Sequence, residues 1–289
     1  MLDTGLSPAL VAVVLALASA GLWGMSDFGG GLLGRRAPIL GVLVVTQTIG
    51  FVIAAVITGI HGEPTMGGQD LVFALGGASL ASIGVGCLYR GLAVGRMGIV
   101  APVAAVLTAV TPALIGVGLQ GLPSALVIVG FGIAIVAVVI VSLVPDDGSG
   151  RPSGLPYALV SGVALGLLSV FFSRISMAYV FAPLAVLRGG VVAIFVVVVI
   201  VRRLPWRLPR STWPLAIAVG IVDLVGNAAF ITASRTGDLA IAAVLSSLYP
   251  VVTVLLAAML LREQVTRSHA AGVALALVAI ALIAGGTAT

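Results

Sequence analysis

Lysine is absent from the 289 residues of this chain, acidic residues number nine, and charged residues of all kinds make up only 8% of it. A soluble domain solvates its surface with roughly 25% charged residues, so most of this surface must face lipid. The net charge is +5, but every one of the fourteen cations is Arg and most lie at the ends of apolar runs, where cations meet headgroups. That distribution argues against nucleic acid as a partner and for membrane lipids. A single cysteine, Cys87, rules out an intrachain disulfide. No Cys/His spacing resembles a metal centre, so neither a metal nor a cofactor is expected. The segment Met1 to Ala20 carries Asp3 rather than the leading cation of a signal peptide, and reads as part of a first membrane helix.

What is abundant is apolar sequence, 61% of the chain. A helix crosses the roughly 30 Å hydrocarbon core with about 20 residues. Runs of that length fall at Pro8 to Leu33, Pro38 to Ile60, Leu71 to Val94, Ile99 to Leu119, Leu122 to Val144, Leu155 to Ile175, Pro183 to Val201, Trp213 to Ala233, Leu239 to Leu261 and His269 to Ala284. They lack the period-2 alternation of barrel strands. The expected fold is therefore an all-α integral membrane protein of ten transmembrane helices.

One connection reads as a linker, Pro145 to Ser153, and it divides the chain into halves at 1–144 and 154–289 with five runs each. Shifting the sequence by 142 positions aligns Ser19 with Ser161, Gly24 with Gly166, Gly95 with Gly237 and Gly130 with Gly272, and the run boundaries coincide. With an odd number of helices per half, the second half enters the membrane from the opposite side. The halves are then inverted repeats, able to exchange conformations and open a midplane site to either side in turn.

Ionisable groups within apolar helices cost about 3 kcal/mol each on insertion scales, so they face the bundle interior. Asp27, Arg188 and Asp223 stand out by depth. Trp23 lies one turn before Asp27 and Asn227 one turn after Asp223, so each shares a helical face with its acid. Such a carboxylate can grip a cationic group, cycle a proton, or simply pair with Arg188 to tie helices together. Ser246, Tyr249 and Thr253 recur on the ninth helix beside Pro250, which removes a backbone donor and frees a carbonyl. They either line a cavity or hydrogen-bond neighbouring helices; Gln47 divides the same way. The 38 glycines read mostly as helix packing, including the small-residue spacing of Gly30 to Gly34 and Gly91 to Gly95.

Three segments carry a family resemblance: Leu22-Trp23-Gly24-Met25-Ser26-Asp27-Phe28 in the first helix, Ala185-Val186-Leu187-Arg188 in the seventh, and Ala243 to Pro250 continuing through Leu261-Arg262-Glu263 to Ala271-Gly272. They resemble the drug/metabolite transporter superfamily, specifically its EamA-type ten-helix carriers. The resemblance implies two inverted five-helix repeats around a central cavity and export or exchange of small metabolites. In the first half, Gly121 stands where the second has Glu263, and Leu165 stands opposite Trp23.

The resulting expectation is a secondary active transporter in the cell membrane, not an enzyme. It would export or exchange a small molecule such as an amino acid by alternating access, with protons as the coupling ion, as a monomer or homodimer. Substrate binding or coupling would fall to Trp23, Asp27, Arg188, Asp223, Asn227, Ser246 and Tyr249. Helices 1, 3, 4, 6, 8 and 9 would line the cavity, with 5 and 10 further out. Two alternatives stand beside it. A membrane enzyme on lipid-linked substrates would need an interfacial cluster, the nearest being His61, Glu63 and Asp70; a non-transporting scaffold would leave Asp27 and Asp223 without a role. The arginines after helices 1, 3, 7 and 9 place those loops in the cytoplasm and both termini outside, whereas the resemblance implies termini inside.

Overall fold

The structure, a computed structural model, describes residues 7–120, 124–142, 152–176, 178–236, 239–263 and 266–286. Its elements among these residues are α1 (Pro8–Gly34), α2 (Ile39–His61), α3 (Gly68–Val94), α4 (Met97–Gln120), α5 (Ala125–Ser142), α6 (Leu155–Phe172), α7 (Ala182–Arg202), α8 (Trp213–Thr236), α9 (Leu239–Ser246), α10 (Tyr249–Leu261) and α11 (Arg267–Gly286). Together they make ten apolar spans. Eight have membrane-crossing length, while Ala125–Val141 and Ala270–Gly285 are apolar but shorter. The protein is a multi-pass integral membrane protein.

The ninth span is not the continuous helix expected over Leu239 to Leu261. It divides between Ser246 and Tyr249. Pro250 sits in the first turn of α10, the position where its missing N–H costs no helical hydrogen bond. By contrast, α4 absorbs Pro102 and Pro112 without dividing. Local chemistry sets the other helix ends. Ser7 caps α1, its Oγ accepting from Leu10 N at 3.3 Å, with Pro8 following. Gly62 closes α2 in the left-handed conformation. Of the expected linker, residues 145–151 lie outside the described residues, as do Gly121 and Gly237. The chain re-emerges at Gly154, with φ +76 and an added Cβ only 2.6 Å from Val100. Only glycine fits both constraints.

Helix pairing repeats when the halves are exchanged. α1 packs on α8 as α6 packs on α3; α1 packs on α9 and α10 as α6 packs on α4; α2 packs on α8 as α7 packs on α3. The pairs α2 with α7 and α5 with α11 map onto themselves. Single residues obey the same operation. A Cβ on Gly226 would meet Trp23 at 2.8 Å, and one on Gly84 would meet Leu165 at 2.7 Å; each of these residues lies 142 positions from its counterpart. Likewise Gly130 abuts Ile283, and Gly272 abuts Val141. Gly24 presses on Tyr249 and Val252 while Gly166 presses on Thr108 and Thr111, so the ungapped shift slips by one residue in the fourth and ninth spans. Reciprocal contacts of this kind define a two-fold relation. Because five spans separate equivalent helices, the halves run in opposite directions and the axis lies in the membrane plane.

The α1–α2, α3–α4, α7–α8 and α10–α11 connections share one end of the bundle, which carries Arg35, Arg36, Arg96, Arg203, Arg207 and Arg262. There Arg35 meets Glu263 at 3.0 Å, with both side chains nearly buried, and Glu263 also accepts from Gly98 N at 3.4 Å. The opposite end holds Glu63, Asp70, Arg174 and Arg235.

Candidate functional site

α1 shows lipid Val14, Leu17 and Met25, and α8 shows it Ile217, Ile221 and Val225. At about 100° per residue, Trp23 and Asp27 on α1, and Asp223, Asn227 and Phe230 on α8, point the other way, into the bundle. All five are nevertheless only half-buried. Residues that face inward and still have open surface border an interior space, and the close packing of α1 on α8 brings the two sets together.

Arg188 enters this region from α7 and is buried. Its Nη2 donates to Asp223 Oδ2 at 2.5 Å and its Nη1 to Gln47 Oε1 at 3.2 Å, joining α7 to α8 and α2. Asn227 Nδ2 donates to the Asp223 carbonyl at 2.8 Å. Arg188 and Asp223 side chains are 5% and 26% exposed, so the cation is sealed and the anion keeps an open edge. Asp27 makes no hydrogen bond or ion pair with the described residues, yet lies within electrostatic reach of Asp223, Tyr89 and Tyr249.

Aromatic rings flank the carboxylates. Trp23 lies 5.5 Å from Phe230, tilted by 41°, and 6.2 Å from Tyr249 in an edge arrangement at 87°. Glycines make room for these groups. A Cβ on Gly30 would strike the Tyr89 ring at 2.3 Å, one on Gly50 would come within 2.6 Å of Arg188 Nη1, and one on Gly226 would reach Trp23. Part of the glycine content therefore seats site side chains rather than only drawing helices together.

Of the seven expected site residues, the structure gathers Trp23, Asp27, Arg188, Asp223, Asn227 and Tyr249 in one region. Ser246 stands apart: it is buried, and its Oγ donates to Ala16 O at 3.2 Å. Thr253 similarly donates to Gly24 O at 3.2 Å, so both tie the ninth span to α1. Two helices outside the expected lining, α2 and α7, contribute Gln47 and Arg188 to this region. Tyr89 and Phe230 were missed. Phe230 was findable, one turn beyond Asn227 on the same face; Tyr89 offered no signal beyond being an aromatic in an apolar helix.

The interfacial cluster of the enzyme alternative is otherwise engaged. Glu63 accepts from the backbone N–H groups of Val180, Phe181 and Ala182 at the start of α7, a helix N-terminus that favours an anion. Asp70 Oδ1 accepts from Ser176 N at 2.9 Å, and His61 lies against the Phe181 ring at 5.9 Å. Among the described residues no group of His, Cys, Asp or Glu is arranged to hold a metal.

A cleft of about 390 Å³ opens between the ends of α4 and α6, lined by Pro112, Ile115, Ser169, Ser173 and Arg174. Ser169 is the two-fold counterpart of Asp27. At the symmetry-related place on the Arg-rich end, α1 and α10 are held together by Thr253 on Gly24 and by Arg35 on Glu263.

Ten apolar spans in exchangeable halves, enclosing a charged and aromatic interior, define a polytopic membrane protein of the inverted-repeat class. Residues 152–285 match the EamA-like transporter family, so the second half of the chain is similar to that family of membrane transporters. Nineteen chains of solved structure match. One of them, described only as a crystal structure of a protein, superposes with a TM-score of 0.66 at 19% identity over 94% of this chain and 95% of its own; that likeness establishes a shared fold. No curated protein matches the chain by sequence.

Proposed function

We propose that the protein is a secondary active carrier of the cell membrane that exports or exchanges small metabolites, amino acids or their amine relatives among them, by alternating access. The observation that carries this is the half-buried Asp27, without a hydrogen-bond or ion-pair partner among the described residues, near the Arg188–Asp223 pair and inside spans where charge is costly and is kept for function. In alternating access the two repeats, 1–144 and 154–289, would exchange conformations. The structure's own asymmetry supports the motion: the α4–α6 end is parted at Ser169 and Arg174, while the two-fold-related α1–α10 end is latched. Exchanging the halves' conformations would part the second and shut the first.

Asp27 is the coupling group in this proposal, taking a proton from one side and releasing it to the other. Asn keeps the size and polarity of Asp but does not titrate. Asp27→Asn in proteoliposomes should therefore abolish flux driven by a proton gradient while thermal unfolding stays close to wild type. Full gradient-driven flux in both Asp27→Asn and Asp223→Asn would end the proton-coupling proposal.

A further inference from the structure

The charges around the interior space do not balance, and the imbalance says what the space can hold. Arg188 is the one base against two acids, Asp27 and Asp223, so whenever Asp27 gives up its proton the region carries one negative charge in excess. The guanidinium is sealed rather than saturated: its side chain is 5% exposed, Nη2 donates to Asp223 and Nη1 to Gln47, and Nε is buried away from the open surface. Gly50 closes against its other side. No cation of this cluster is left to receive a ligand's carboxylate. Asp27, in contrast, has no partner among the described residues and keeps open surface.

Beside that carboxylate stand three aromatic rings. Trp23 precedes Asp27 by one turn, and the Phe230 and Tyr249 rings lie 5.5 and 6.2 Å from the Trp23 ring. The faces of Trp, Tyr and Phe rings attract a cation held within about 6 Å of the ring centroid, most strongly where water is scarce. Resting on the carrier reading above, we infer that the occupant is an organic cation: a protonated amine attached to an apolar body and carrying no carboxylate. The ammonium would pair with Asp27 and the body would lie against Trp23, Phe230 and Tyr249. A zwitterion would leave its own carboxylate facing Asp27 and Asp223 with Arg188 unavailable, and an anion would add to the excess.

Three probes that share a phenyl body separate these cases: phenethylammonium, phenylalanine and 3-phenylpropionate. Each is titrated into the purified full-length protein with binding read by calorimetry, and each is followed as flux in proteoliposomes. Phenethylammonium is expected to bind at least tenfold more tightly than phenylalanine, with 3-phenylpropionate not binding. Asp27→Asn should remove the phenethylammonium signal. Trp23→Leu, which copies the Leu165 that fills the two-fold-related seat, should weaken it about tenfold with the melting temperature unchanged. Binding and flux of phenylalanine without response to phenethylammonium would overturn the inference and leave the carrier reading standing. No binding or flux of any probe, or of a mixed metabolite pool, would overturn both.

Discussion

Arg188 on α7 and Asp223 on α8 meet at 2.5 Å inside the bundle, and the pair they form is sealed on the cationic side and open on the anionic side. Such a pair need not stabilise the fold by much, because desolvation offsets its attraction, but removing one partner strands the other. Arg188→Gln should lower stability by about 2–3 kcal/mol, less than for a fully buried pair because Asp223 keeps some solvent. The double variant with Asp223→Asn should recover part of that loss, as residues in contact couple. Thermal unfolding of the three variants measures it; additive losses would show that the pair is not energetically linked.

Gly50 has no side chain because the Arg188 guanidinium occupies its place. Gly50→Ala puts a methyl 2.6 Å from Nη1 and should cost about 1–3 kcal/mol by overpacking, with flux reduced as Arg188 is displaced. Gly59→Ala, where an added Cβ meets nothing within 4 Å, is the matched control and should leave both quantities unchanged. Equal behaviour of the two variants would remove Gly50 from the site.

Glu63 is a helix cap in this structure. Glu63→Ala should cost about 1–2 kcal/mol and leave ligand binding intact, since Asp27 and the aromatic rings are untouched. Hydrogen exchange at Val180 to Ala182 reports the loss directly. Ligand binding that vanished with the cap would contradict this assignment.

The Arg-rich end is expected in the cytoplasm by the positive-inside rule. With Cys87 replaced by Ala, Arg207→Cys should resist a membrane-impermeant maleimide in intact cells and react after permeabilisation. Ready labelling in intact cells would invert the orientation and agree with the usual placement of termini in EamA-type carriers.

The spans were legible because length and apolarity alone determine them, and their ends fell within a few residues of the structure. The break in the ninth was not: Pro250 was visible, but Pro112 in α4 carries the same local signal and is accommodated, so the difference lies in packing and not in the residue. Asp27, Arg188 and Asp223 announced themselves because a charge in an apolar helix has high contrast. Tyr89 and Gly50 have none in a chain that is 61% hydrophobic with 38 glycines, and Phe230 is marked only by the face it shares with Asn227. What a glycine does depends on the side chain facing it, and that partner lies on another helix. Ser246 illustrates the converse, a polar residue whose partner proved to be the α1 backbone.

The two-fold relation that duplicates the scaffold does not duplicate the residues on it. Position for position, Leu165 answers Trp23, Ser169 answers Asp27, Thr46 answers Arg188, Ala81 answers Asp223 and Val85 answers Asn227. Each seat in the mirrored half is present but holds a group with no charge, so the counterpart cannot grip an ion. Saturation should accordingly occur at one ligand per polypeptide, and a titration endpoint near two would mean that the uncharged seats bind as well.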